Sequence, residues 1–87
     1  MENHACMAKK TIRAADLEAM ALSELRRRPQ CAGAARVTIA PCSEIHPVTG
    51  AHWAPVCVNP GVSGIEPCQR EVWHVCEALG RDYELAG

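Results

Sequence analysis

Phenylalanine is missing from this chain of 87 residues, and its whole aromatic inventory is Trp53, Trp73 and Tyr83. That scarcity excludes a core built on large rings, which bury the most area per residue, and leaves an interior drawn largely from Ala, Val, Leu and Cys. A small Ala-heavy core yields limited stability at roughly 25 cal/mol per Å² of buried apolar surface, so a second subunit is a natural supplement. An excess of positive charge is also missing. The formal net charge is −1, too little to hold a polyanion by field alone. Nor is there an apolar run long enough to span a bilayer. The first ten residues contain no apolar segment of the secretory type, and Met7-Ala8-Lys9-Lys10 reads as an alternative start. The expected setting is a reducing cytoplasm.

Motifs that carry chemistry are equally scarce. No Cys-x-x-Cys knuckle, Gly-x-Ser-x-Gly elbow or Gly-rich strand-to-helix turn occurs, and Glu44 is the lone carboxylate between the two predicted strands. Catalytic and cofactor-binding residues are therefore not expected, and the chain reads as a non-enzyme without a cofactor. The best metal quartet available is Cys42, His46, His52 and Cys57; the competing reading makes both cysteines small buried hydrophobes and both histidines solvated loop residues. His74 and Cys76 stand two apart on a predicted helix and so face different ways. Cys68 and Cys76 lie on its apolar stripe, where they are expected as inert core thiols.

What is present is punctuation for an αββα order. Residues 1–10 read as a flexible tail and 11–87 as a single domain. Ala14, Leu17, Ala21 and Leu25 fall on one helical stripe between Thr11, a candidate cap, and Pro29, a stop. Arg36 to Pro41 alternates as a strand with Val37 and Ile39 on one face, and His52 to Val58 forms a second strand. Pro47 and Gly50 mark the long loop between them. Pro55 lacks an N–H, so its nitrogen should point away from the first strand, which would leave that first strand as the edge for any sheet extension in a dimer. Ser63 and Glu66 have capping-box spacing, with Pro67 in the first turn of a second helix. Its stripe runs through Cys68, Val72, Val75, Cys76, Leu79 and Tyr83, with Gly80 as a cap or a weak point. The fold class is α+β, a two-stranded antiparallel hairpin covered on one face by two helices.

The run Ala14 to Ala19, Arg27-Arg28-Pro29, the Trp at the head of the second strand, Asn59-Pro60-Gly61 and the late Cys before a helix ending near Tyr83 and Leu85 resemble a group of small uncharacterised bacterial proteins. The resemblance spans about Thr11 to Leu85 and implies no activity. Here the 43–51 loop is longer, and His52 replaces Asn.

The functional expectation is a protein-binding module of adaptor or inhibitor type, acting as a homodimer. Its contact residues would be Trp53, Trp73, Pro55, Val37 and Ile39, each Trp being either an interface or a core residue. One alternative is a zinc- or thiol-based sensor using the quartet above. Another is a nucleic-acid-binding regulator, using Arg26, Arg27 and Arg28 with Lys9, Lys10 and Arg13; the competing reading of the arginines is a charged helix end favoured by the macrodipole.

Overall fold

The computed structural model describes residues 9–59 and 65–86. Its elements are β1 (Lys10–Ile12), α1 (Ala14–Arg26), a 3-10 turn (Pro29–Cys31), β2 (Arg36–Pro41), β3 (Trp53–Asn59), α2 (Ile65–Asp82) and β4 (Tyr83–Leu85). The antiparallel β2–β3 hairpin packs against the two helices, as the sequence pattern predicts, and a second, parallel sheet pairs β1 with β4. The expectation of a lone ribbon is corrected by that sheet.

Helix α1 buries the predicted stripe of Leu17, Ala21 and Leu25, while Ala14 is only half-buried. Its cap is not Thr11, however. Thr11 lies within β1 opposite Glu84, and Arg13 caps the helix in extended backbone without a side-chain bond. Lys9 and Lys10, assigned by the sequence to a tail, belong to the fold: Lys9 donates to the Gly50 carbonyl and Lys10 pairs with Tyr83. The Ser63 end of the capping box lies outside the described residues, as do Pro60 and Gly61, while Pro67 falls in the first turn of α2.

The hairpin carries an irregularity next to Pro55. Arg36, Val37 and Thr38 pair with Asn59, Val58 and Cys57, but Ile39 pairs with Pro55, so Val56 is an extra residue on β3. A bulge shifts the side-chain alternation by one, which turns Val58 toward the core and Cys57 outward. Cys57 is accordingly exposed, against the expectation of a buried strand cysteine, and Cys42 is half-buried.

Leu17, Leu25, Val37, Ile39, Trp53, Val72, Val75 and Cys76 share one core. The expectation that Cys68 is a free core thiol is also corrected. It forms a buried disulfide with Cys31, across a Cα–Cα distance of 5.1 Å. Gly80 ends no helix, since α2 continues to Asp82; Gly80 is buried with the Thr49 backbone directly against it. Tyr83 follows in β4 rather than in the helix.

Candidate functional site

The contact residues expected from the sequence divide into two groups. Trp53, Val37 and Ile39 are core residues, at 0%, 2% and 5% exposure, and their side chains offer no surface to a partner. Trp53 also satisfies its indole N–H within the chain by donating to the Tyr83 carbonyl at 3.1 Å. Pro55 and Trp73 are half-buried and line one groove.

That groove, of about 150 Å³, runs between β3 and α2 and is walled by Pro55, Val56, Val58, Val72 and Trp73, with Cys57 and Gln69 completing it. Trp73 sits off the buried stripe of α2, so its ring lies over the groove and stacks on the His46 imidazole, with centroids 5.5 Å apart and planes 10° off parallel. His46 is fixed by the turn of its own loop, accepting from the Val48 N–H at Nδ1. This stack ties the 43–51 loop to α2. Val56 is exposed on the groove because the bulge lifts it out of the ladder, and Ile45 and Val48 flank His46. Among the described residues these three are the exposed large hydrophobics, at 60%, 61% and 37%. Val56 lines the groove with Trp73, and Ile45 and Val48 lie within two residues of the His46 that stacks on it, which makes this region the candidate contact surface. Ile45, Val48 and Val56 were missed by sequence reasoning, since no local pattern distinguishes an exposed strand or loop aliphatic from a buried one.

The proposed metal quartet is not assembled. His46 is engaged by Trp73 and Val48, His52 by Glu84, and among the described residues no group of three His, Cys, Asp or Glu side chains comes together to hold a metal. Cys76 carries no accessible nucleophile, because burial pushes its thiol up to about 12.

The arginine run is likewise spent inside the chain. Arg26 donates to the Ala34 carbonyl at 2.8 Å, Arg27 pairs with Glu24, and Arg28 bridges to Glu71 of α2 at 2.6 Å. These contacts neutralise or occupy the cations that a phosphate backbone would need.

The head of the hairpin is latched to β4 by Glu84, which accepts from the His52 N–H at 2.6 Å and meets its Nδ1 at 3.2 Å. Partial desolvation raises the Glu84 carboxyl, but the two His52 hydrogen bonds and the charges of His52 and Lys9 outweigh it, so the group lies below the ordinary carboxylate range. A depressed acid adds stability above its unfolded value and loses it as pH falls through the folded one. The pair is substantially exposed, so the gain stays below about 1 kcal/mol. Glu84→Gln keeps an acceptor without the charge. Urea midpoints of the wild-type chain should therefore fall more steeply on acidification through the carboxylate range than those of this variant; parallel slopes would refute the assignment.

Among the described residues no helix is long and apolar enough to cross a membrane. No family model, curated protein or solved structure matches the chain, so the site rests on its own geometry.

Proposed function

We propose that the chain is a non-catalytic protein-binding module of adaptor or inhibitor type, and that its contact surface is the apolar patch around Trp73. The observation that carries this reading is the exposure of Val56 in the groove that Pro55, Val58 and Trp73 wall, with exposed Ile45 and Val48 within two residues of the His46 that stacks on Trp73. A half-buried indole held rigid by a stacked ring loses little conformational freedom on binding, which is the character of an interface anchor. The same patch serves self-association, as an isologous pair about a two-fold axis. Neither outer edge of the hairpin is needed for this.

The buried Cys31–Cys68 bridge suits a setting in which thiols are oxidised, in contrast to the reducing cytoplasm expected from the sequence.

Val56→Lys is the cleanest probe, because the side chain is exposed and its loss costs the core little. Truncating a central aromatic anchor costs about 2 kcal/mol or more, or roughly 30-fold in affinity. Trp73→Ala and Val56→Lys should both reduce capture of bound protein from cell extract by that order, with far-UV circular dichroism unchanged. Undiminished capture by both variants sinks the patch, and sedimentation showing only monomer at micromolar concentration removes the homodimer.

A further inference from the structure

Both outer edges of the β2–β3 hairpin carry blocking groups, and only one of these is a movable side chain. The Cys42 N–H donates to the His52 carbonyl, which makes Cys42–His52 and, two residues on, Ala40–Ala54 the hydrogen-bonded pairs. Ile39–Pro55 and Pro41–Trp53 then occupy the alternate positions, with their backbone groups directed outward. On β3 that edge is closed permanently, since Pro55 has no N–H and the Trp53 carbonyl accepts from the Thr49 hydroxyl at 2.8 Å. Pro41 removes a donor from the β2 edge. The expectation that β2 is the open edge is thus corrected at its centre, where the outward Ile39 N–H donates to the Glu18 carboxylate of α1 at 2.8 Å.

We propose that the outer edge of β2 is a latent strand-addition surface for the β2 strand of a second copy of this chain, and that Glu18 keeps it shut. Self-pairing fits the sequence of the strand. With Ile39 of one copy opposite Ile39 of the other, antiparallel register sets Val37 against Pro41, Thr38 against Ala40 and Arg36 against Cys42. No like charges face each other, and a β-branched pair occupies the centre. The two hairpins become one four-stranded sheet whose core faces are continuous. Glu18 competes directly for the N–H that such pairing uses, and it is only half-buried, so its removal leaves the α1 stripe of Leu17, Ala21 and Leu25 intact.

The test compares Glu18→Ala and Glu18→Leu, which remove the acceptor, with Glu18→Gln, which keeps one, all in a Val56→Lys background that silences the patch. Light scattering gives the mass, and amide hydrogen exchange reports on Ile39. In the acceptor-less variants the mass should double as concentration rises, and the Ile39 amide, fast-exchanging when dilute, should slow at least about tenfold on association. Glu18→Gln should remain monomeric with Ile39 protected at all concentrations. Acceptor-less variants that stay monomeric overturn the proposal. So does failure of both to fold, which would make Glu18 a folding residue instead of a guard.

Discussion

Gly80→Ala is expected to destabilise the fold by about 3 kcal/mol, the upper part of the range for overpacking, although Ala is the better helix former by about 1 kcal/mol. The two effects have opposite signs, and geometry decides between them. A Cβ at position 80 meets the carbonyl oxygen, carbonyl carbon and Cα of Thr49 well inside contact distance. All three are backbone atoms, so no side-chain rotation relieves the clash. Thr49 is itself immobilised. Its hydroxyl donates to Trp53 O and accepts from Ala51 N–H, and the residue is 2% exposed. Displacing Thr49 therefore loosens the turn that holds Trp53, the largest fully buried side chain. Ala at an unobstructed helical glycine stabilises; urea denaturation showing a gain, or no change, for Gly80→Ala would refute the close approach. Gly50, at φ 68° with nothing near its absent Cβ, is held to glycine by conformation instead.

The contrast between helices and edges explains what could be read in the sequence. Leu17, Ala21 and Leu25, and likewise Cys68, Val72, Val75 and Cys76, recur at helical spacing because each helix buries one face, and periodicity reports burial directly. The limits of β2 were legible for the same reason. β1 and β4 were not: each is three residues long, too short for alternation to show, and their parallel pairing joins distant parts of the chain through backbone groups that every sequence possesses. Thr11 illustrates the cost, since a residue suited to capping a helix is equally suited to a strand. Pro55 announced a nitrogen turned away from β2, but not that Val56 beside it would be the residue expelled. Gly80 has no local signature distinguishing a helix end from a close approach. The candidate surface was half legible, through Pro55 and Trp73; its remainder depends on His46 reaching Trp73 across a loop, a long-range contact. Trp53 and Trp73 were indistinguishable by residue type, and only the packing makes one the centre of the core and the other the centre of the patch.

Reduction, or the double replacement Cys31→Ala with Cys68→Ala, is expected to cost about 4 kcal/mol, from the entropy returned to an unfolded chain whose bridged residues are 37 apart. For a domain whose whole stability is of order 5–10 kcal/mol, that is a large share. The bridge joins the 3-10 turn after α1 to the start of α2, and the Arg28–Glu71 ion pair lies beside it, each partner three residues away. The two links reinforce one junction between helices in a chain short of aromatic core. Both sulfurs are fully buried, so reductant acts on molecules that have opened, and at saturating thiol the loss should follow the opening rate. Cys76 shares the core but does not reshuffle the bridge: attack requires a thiolate, and burial holds that thiol near 12. Alkylation of the denatured, unreduced chain should therefore modify Cys42, Cys57 and Cys76, with mass spectrometry leaving Cys31 and Cys68 unmodified. Modified Cys31 and Cys68, or a urea midpoint indifferent to reductant, would show that the junction holds without its covalent link.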